Sequence, residues 1–301
     1  YRAVLPVRFD VVPGIEILLS MSRTFRKKMI NTILFPAILL AFVFLFVRLL
    51  ENKLVFFPSK YPDGFWQPEQ FGLHPRDVFF ETEDGVRLHG WFFEKEDAIA
   101  TLLLMHGNAG NLSHRVDLVE RLLGALPVEI FIFDYRGYGK SAGAPTEEGV
   151  YRDADAAYKY LTQKLNRPPE KIILHGRSLG GAVAVDLATK VSAAGLLLES
   201  TFSSGNDMAK EMFKVLPLWW FTTIKMDSES KIRNVNMPIL MLHGKNDSIV
   251  PFHLGKKLFE VAPQPKSFVE IPDAGHNDVY VVGGPKFYAV IKDFIAKAVL
   301  P

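Results

Sequence analysis

The sequence contains a serine in a pattern that suits nucleophilic catalysis. Ser178 lies in G-x-S-x-G, between glycines at positions 176 and 180. The apolar residues 172–174 before it predict a strand and the residues after it predict a helix, so the pattern predicts a sharp strand-to-helix turn. Glycines suit this turn because a Cβ would clash where backbone and helix come close together. The turn would lift the hydroxyl above the sheet, which makes Ser178 the candidate nucleophile.

A serine hydroxyl needs a base, and three histidines follow Ser178 in the chain. His276 lies in a loop after the last predicted strand, at the carboxyl edge of the sheet where Ser178 is also expected. His243 ends a strand, which is typical of a core or structural residue. His253 begins a helix, which is typical of a solvated residue. The sequence therefore favours His276 as the base.

The base in turn needs a carboxylate to orient it, and Asp247 is the candidate. It follows the strand before the last one and precedes His276, in the order serine, acid, histidine. An aspartate here also suits a turn or a helix N-cap. Two other carboxylates stay open as alternatives, because Glu199 ends a strand and Asp278 is close to His276 in sequence.

Acyl transfer places negative charge on a carbonyl oxygen, which preorganised N–H groups must stabilise. The sequence predicts that Leu179, directly after the serine, supplies one backbone N–H. The second is predicted from Asn108, in the small-residue loop HGNAGN at 106–111 that follows an apolar strand. An ordinary strand–helix turn is the alternative interpretation of this loop.

Short apolar runs alternate with helical patterns along the rest of the chain, which predicts a parallel sheet covered on both faces. A hairpin with its turn at 84–85 predicts an antiparallel N-terminal edge. The strand runs are 78–81, 86–93, 100–105, 128–133, 171–174, 195–198, 238–242 and 267–271. The helical runs are 112–126, 146–165, 179–190, 252–262 and 285–299.

One insertion, at about 202–236, interrupts this alternation and is predicted to form a small helical lid. It is rich in large apolar side chains. Trp219, Trp220 and Phe221 are the candidates for substrate binding, because apolar aromatics suit an acyl chain. The alternative is that they form the core of the lid itself.

Residues 29–50 form an apolar segment long enough to span a bilayer as a helix. A cleaved signal peptide is the alternative, but the run is long for one and no small-x-small site follows. More basic residues precede the segment than follow it, which favours a catalytic domain on the non-cytoplasmic side. Residues 1–28 form a tail. Its first 20 residues precede Met21 and are interpreted either as sequence upstream of the natural start or as a cytosolic tail.

Composition excludes several other chemistries. The 301 residues include no cysteine, which excludes a thiol nucleophile, a thiolate metal site and a disulfide framework. The net charge of +2 gives no basic excess that would point to nucleic acid. No HExxH or similar metal motif occurs, so neither a metal nor another cofactor is expected.

Taken together, these motifs resemble those of the α/β-hydrolase superfamily, and most closely its membrane-anchored branch of alpha/beta-hydrolase domain-containing proteins. The resemblance covers roughly residues 50–299. It rests on HGNAG at 106–110, DYRGYGKS at 134–141, GRSLGG at 176–181, an acid like Asp247, GHND at 275–278, and ENKL with FP at 51–58. The loop 134–141 either shapes the pocket or holds the loops of the sheet together.

The resemblance implies a hydrolase with residues 51–301 as its catalytic domain, and leaves the substrate open. A carboxylic ester hydrolase that acts on acyl esters is the leading hypothesis. A thioesterase that removes acyl groups from proteins is the alternative, followed by a serine peptidase and a binding protein without catalytic activity. The expected partners are the acyl substrate and a membrane. The sequence predicts no oligomeric state.

Overall fold

The computed structural model describes residues 22–214, 218–220 and 222–300. Eight strands form one sheet in the order β1-β2-β4-β3-β5-β6-β7-β8. They are β1 (Arg76–Glu81), β2 (Arg87–Phe93), β3 (Ala100–Met105), β4 (Val128–Asp134), β5 (Ile172–Arg177), β6 (Gly195–Glu199), β7 (Ile239–Gly244) and β8 (Lys266–Ile271). The hairpin β1–β2 is antiparallel and β2 pairs antiparallel with β4, whereas all later pairings are parallel. The predicted mostly parallel sheet with an antiparallel edge is therefore confirmed.

Helices connect the strands and cover both faces of the sheet. The described α-helices are α1 (Arg23–Met29), α2 (Phe35–Val55), α3 (Val116–Ala125), α4 (Glu147–Lys159), α5 (Leu179–Ala188), α6 (Gly205–Met212), α7 (Ser228–Ile232), α8 (Phe252–Val261), α9 (Val279–Val282) and α10 (Gly284–Val299). Helix α4 begins where the sequence predicts, because the side chain of Thr146 accepts a hydrogen bond from the Gly149 N–H and caps the first turn.

The core lies on both sides of the central strands. Every residue of β3 and β4 is buried, and successive side chains point to opposite faces. Leu103 and Phe131 belong to the apolar cluster on one face, whereas Leu102 and Ile130 belong to the cluster on the other. Because both faces of these strands are buried, their sequences are continuous apolar runs rather than alternating apolar and polar residues.

The chain divides after Leu50 into two compact units. In the first, Arg23–Phe46 is long and apolar enough to cross a membrane, with a mean hydropathy of 2.4, although a signal sequence would meet the same criterion. Helical structure begins at Arg23 and ends at Val55, so it extends beyond the predicted segment 29–50 at both ends. Glu51 and Lys53 are good helix formers and lie in the last turns of α2, which ends three residues before Pro58.

Pro36 is the second residue of α2, inside a helical segment that continues without a break from α1. The π-helical turn Ile30–Leu34 ends two residues before Pro36. A wider turn accommodates the proline because the ring crowds the carbonyl four residues earlier and leaves it without an N–H partner.

The insertion at 202–236 is partly helical, with α6, a 3₁₀ turn at Leu218–Trp220 and α7. Its segments are tied to the rest of the domain by carboxylates. The Glu147 side chain accepts hydrogen bonds from the backbone N–H groups of Lys225 (2.7 Å) and Met226 (2.8 Å). Glu51 accepts one from the Thr223 N–H at 2.8 Å. Its role as a lid stays a prediction.

Candidate active site

The candidate nucleophile lies at a strained turn between β5 and α5. Ser178 has φ 55° and ψ −121°, a backbone conformation that non-glycine residues rarely adopt. Its backbone N–H donates to the carbonyl oxygen of Glu199 at 2.8 Å, and its own carbonyl oxygen accepts from the Thr201 hydroxyl at 2.8 Å. These contacts hold the serine in place at the carboxyl end of the sheet. Such strain is typical of functional sites, where the surrounding structure maintains it.

Two glycines of the G-x-S-x-G pattern allow this turn to form. A Cβ at Gly176 would lie 2.4 Å from the carbonyl oxygen of Gly180. A Cβ at Gly180 would lie 2.0 Å from the carbonyl oxygen of Met105, at the end of the neighbouring strand β3. Both obstacles are backbone atoms that cannot move aside, so the helix packs closely on the sheet only where side chains are absent.

The structure brings the three predicted residues together from three loops. The Nε2 atom of His276 lies 3.0 Å from the Oγ of Ser178, although 98 positions separate the two residues in sequence. The Nδ1 atom of His276 lies 2.7 Å from Oδ2 of Asp247. These contacts form a continuous chain from hydroxyl through imidazole to carboxylate. Such a chain can take the serine proton and hold the resulting imidazolium in one orientation.

The Asp247 carboxylate is held by donors on both oxygens. Its Oδ1 accepts from the backbone N–H groups of Ile249 (2.9 Å) and Val250 (2.8 Å). Its Oδ2 faces His276 and also lies 3.3 Å from Nε2 of His243. Burial alone would raise the pKa of Asp247, but the bonds from His243, His276 and Val250 outweigh it, so the pKa lies well below its usual range. The group is therefore an ionised acceptor near neutral pH.

The alternative bases occupy other environments. The His243 side chain is buried, and its Nε2 lies 3.0 Å from the carbonyl oxygen of Val250, so it supports the Asp247 loop from behind. The His253 side chain is 62% exposed and pairs with Glu211 at 3.2 Å. Neither lies where the Ser178 hydroxyl is bound.

The alternative acids are also engaged elsewhere. Asp278 accepts a hydrogen bond on Oδ1 from the backbone N–H of Gly275 at 2.7 Å, which closes the turn that carries His276. Glu199 is fully buried, and its Oε1 lies 3.0 Å from Nε of Arg177. Burial raises the pKa of Glu199, but Arg177 and His175 more than compensate and hold the pKa below its usual value.

Sequence reasoning missed the role of Arg177, which directly precedes the serine. Besides its pairing with Glu199, its Nη2 donates to the backbone carbonyl of His276 at 3.1 Å. The guanidinium carbon also lies 5.5 Å from the ring centroid of Tyr280. A polar residue next to the nucleophile was visible in the sequence, but its partners are distant in the chain and no local pattern indicates them.

The loop after β3 lies against the nucleophile, as predicted for the residues that supply the second N–H. A Cβ at Gly107 would lie 3.4 Å from the Cβ of Ser178. Asn108 follows in the same loop, and the N–H of Leu179 is at the first turn of α5, where N–H groups have no partner within the helix. Both predicted donors are thus on segments next to Ser178, and their role stays a prediction.

The predicted substrate-binding aromatics are only partly described. Trp219 is half-buried and Trp220 is 74% exposed, whereas Phe221 lies outside the described residues. Their role in substrate binding stays a prediction. Over residues 22–214, 218–220 and 222–300, no group of three or more His, Asp or Glu side chains could hold a metal ion.

The loop 134–141 supports its neighbours through side chains. Asp134 accepts on Oδ1 from the Leu112 N–H at 2.7 Å, and the Ser141 hydroxyl donates to the carbonyl oxygen of Asp134 at 2.7 Å. The Ser141 oxygen also accepts from the His89 N–H at 2.9 Å. These bonds favour the interpretation that this loop holds other loops together.

Comparison with known proteins shows the family to which this chain belongs. The family described as "Serine aminopeptidase, S33" matches residues 96–229. The alpha/beta hydrolase domain-containing protein WAV2 of Arabidopsis thaliana is 34% identical over 294 residues, covering 87% of this chain and 92% of that protein. The chain belongs to the α/β-hydrolase family. Protein bem46 of Schizosaccharomyces pombe is also 34% identical to this α/β-hydrolase, over 82% of the chain and 86% of that protein.

Solved structures share the fold of this α/β-hydrolase. The Pyrococcus furiosus esterase Pf2001 superimposes with a TM-score of 0.65 at 23% identity, covering 80% of the α/β-hydrolase and 98% of the esterase chain. At this identity the likeness concerns the fold alone. The resemblance predicted from the motifs is confirmed at the level of the family.

Proposed function

We propose that this protein is a serine hydrolase that cleaves carboxylic acyl esters through Ser178, His276 and Asp247. The observation that carries the proposal is the continuous contact from Ser178 Oγ to His276 Nε2 (3.0 Å) and from His276 Nδ1 to Asp247 (2.7 Å). His276 takes the hydroxyl proton as Ser178 Oγ attacks the carbonyl carbon. The backbone N–H groups of Leu179 and Asn108 stabilise the negative charge on the former carbonyl oxygen.

In the steps that follow the attack, His276 acts first as an acid and then again as a base. The protonated His276 gives its proton to the leaving alcohol, which breaks the ester bond and leaves the acyl group on Ser178. His276 then deprotonates a water molecule, which attacks the acyl-enzyme. Collapse of the second tetrahedral intermediate releases the carboxylic acid, and the Ser178 hydroxyl is restored as His276 returns its proton. Asp247 stays ionised throughout and keeps the imidazole oriented.

The proposed substrate class is an acyl ester with an apolar chain. Large apolar side chains of the insertion are exposed to solvent, among them Met212 (65%) and Trp220 (74%). Exposed apolar surface of this kind suits contact with an acyl chain or a lipid surface. The same chemistry would cleave a thioester, so removal of acyl groups from proteins is an outcome that the test distinguishes.

The proposed organisation is a single-pass membrane protein, with residues 1–28 as a tail, 29–50 as the anchor and 51–301 as the catalytic domain. The length and hydropathy of Arg23–Phe46 support the anchor. Arg23, Arg26, Lys27 and Lys28 precede the apolar core, which supports a cytoplasmic N-terminus and a catalytic domain on the other side. Alkaline extraction of membranes distinguishes a membrane anchor from a cleaved signal peptide. An anchored chain stays in the membrane pellet, whereas a chain whose signal peptide has been cleaved is released.

Hydrolysis of a p-nitrophenyl ester series, from short to long acyl chains, tests the proposed activity in the full chain. The wild type is expected to release nitrophenol and Ser178→Ala to lose at least about 10³-fold in kcat. A matched control is Ser248→Ala, because Ser248 is an exposed serine in the loop that carries Asp247. Cleavage of acyl thioesters but not of oxygen esters would select the thioesterase, and inactivity on both series would contradict the proposal.

A further inference from the structure

The chain segment that follows the apolar helix runs beside the loop after β3. The N–H of Gly110 donates to the carbonyl oxygen of Phe57 at 3.1 Å, and the N–H of Ser59 donates to the carbonyl oxygen of Gly110 at 2.9 Å. The side chain of Phe56 is only 2% exposed and packs in the core of the domain. Residues 55–59 are therefore a fixed part of the catalytic domain, rather than a linker that leads to it.

The side chain of Asn108 joins the loop to this segment. Its Oδ1 accepts hydrogen bonds from the Phe57 N–H and from the Tyr138 hydroxyl, both at 3.1 Å. Its Nδ2 donates to the carbonyl oxygen of Val55. The carboxamide thus has both acceptor positions and one of its donors engaged. Such a side chain cannot rotate without breaking several bonds at once.

The same residue carries one of the two N–H groups proposed to stabilise the oxyanion. The loop approaches the nucleophile closely, since a Cβ at the preceding Gly107 would lie 3.4 Å from the Ser178 Cβ. The side chain and the backbone N–H of Asn108 share one Cα. Fixing the carboxamide therefore restricts the direction of the N–H. Preorganised donors of this kind stabilise the oxyanion most when they do not have to reorient during the reaction.

We propose that Asn108 is a positioning residue: its side chain fixes the loop to residues 55–57 and thereby directs its own backbone N–H towards the oxyanion. The turn in which the apolar helix ends is then a structural part of the active site. This inference rests on the proposed function, because it concerns the N–H that the mechanism uses.

The first test is Asn108→Ala in the full chain, which keeps the backbone N–H but removes all three side-chain bonds. The readout is the rate at which a fluorophosphonate labels the serine, because this reaction also builds charge on an oxygen in the same hole and needs no known substrate. Loss of one donor costs about 10²–10³-fold. A misdirected donor is expected to slow labelling about 10- to 100-fold. On the ester series kcat falls in parallel while KM changes less than about threefold.

A double-mutant cycle with Tyr138→Phe separates positioning from general damage to the fold. The Tyr138 hydroxyl donates a hydrogen bond to Asn108 Oδ1. Tyr138→Phe is therefore expected to slow labelling about threefold in the wild type and to have no further effect in Asn108→Ala. Additive effects of the two substitutions would overturn the inference. If Asn108→Ala does not fold, Tyr138→Phe alone decides, and an unchanged labelling rate overturns it.

Asn111→Ala is the matched control from the same loop. Asn111 is fully buried, and its Nδ2 donates to the carbonyl oxygens of Asp63 (2.7 Å) and Ser59 (3.2 Å). Loss of the Asn111 side chain is expected to lower Tm, while the labelling rate stays within about threefold of the wild type. Equal slowing in Asn111→Ala and Asn108→Ala would overturn the positioning role. A wild type that is not labelled at all would contradict the proposed function itself, whereas a labelled wild type with unaffected Asn108→Ala contradicts this inference alone.

Discussion

Arg177 donates a hydrogen bond from Nη2 to the backbone carbonyl of His276 at 3.1 Å, across 99 positions in sequence. The same guanidinium places its Nε 3.0 Å from the buried carboxylate of Glu199. A single side chain next to the candidate nucleophile therefore links Glu199, at the end of β6, to the loop that carries the candidate base. Buried charge usually costs stability unless it is paired, so the two groups depend on each other.

We expect Arg177→Met to lower the free energy of unfolding by about 3–5 kcal/mol, because it removes the guanidinium that pairs with the buried Glu199 carboxylate. The double variant Arg177→Met/Glu199→Gln removes that charge and is expected to cost less than the sum of the two single changes. Urea denaturation of the four proteins measures this coupling. Strictly additive losses would show that the two side chains do not stabilise each other.

His276 and His253 are expected to differ strongly when each is changed to glutamine. His276→Gln removes the group that contacts the Ser178 hydroxyl and is expected to lower kcat about 10³-fold or more. His253→Gln changes an exposed side chain on α8 and is expected to leave kcat within about twofold. Ester hydrolysis at saturating substrate distinguishes them, and a comparable loss in both variants would contradict the assignment of the base.

Acid is expected to destabilise the wild type more than Asp247→Asn. The folded protein holds the pKa of Asp247 below its ordinary value of 3.8, so the unfolded chain binds this proton more readily. The contribution of the carboxylate to stability is present above about pH 4 and is lost as the pH falls below it. Between pH 7 and pH 3, the wild-type Tm is expected to fall at least about 3 °C further than that of Asp247→Asn. Equal losses of Tm in the two proteins would contradict the lowered pKa.

Two glycine-to-alanine changes are expected to have opposite effects. In Gly180→Ala the new Cβ would lie 2.0 Å from the backbone oxygen of Met105, so we expect a loss of about 1–3 kcal/mol or more. Gly124 in α3 has no atom within 4 Å of the corresponding position. Gly124→Ala is therefore expected to stabilise the protein by about 0.5–1 kcal/mol. Thermal unfolding of both variants measures this, and a stable, active Gly180→Ala would show that the turn does not need the glycine.

The sheet and the chemistry-bearing loops could be predicted from the sequence because each depends on a local pattern. Strands buried on both faces produce continuous apolar runs, and β3 was predicted with its observed bounds. The turn at Ser178 is indicated by its own glycines. The positions of Asp247 and His276 follow from the order of strands, because the carboxyl ends of parallel strands meet at one edge of the sheet.

Features that depend on distant partners could not be predicted in this way. Strand β5 was expected to end at Leu174 but continues to Arg177, because His175 and Arg177 are buried next to Glu199 rather than solvated. A polar residue in sequence indicates the end of an apolar run, and only the fold reveals that its charge is paired. The side-chain bonds of Asn108 to residues 55 and 57 were hidden for the same reason.

Mapping the site of fluorophosphonate modification by mass spectrometry tests the central claim most directly. The wild-type protein is expected to carry one adduct, on the peptide that contains Ser178. The adduct is expected to be lost in Ser178→Ala, retained in Ser248→Ala, and slowed at least about 10³-fold in His276→Gln. A wild type without an adduct, or an adduct that persists in Ser178→Ala, would contradict the account of this protein as a serine hydrolase.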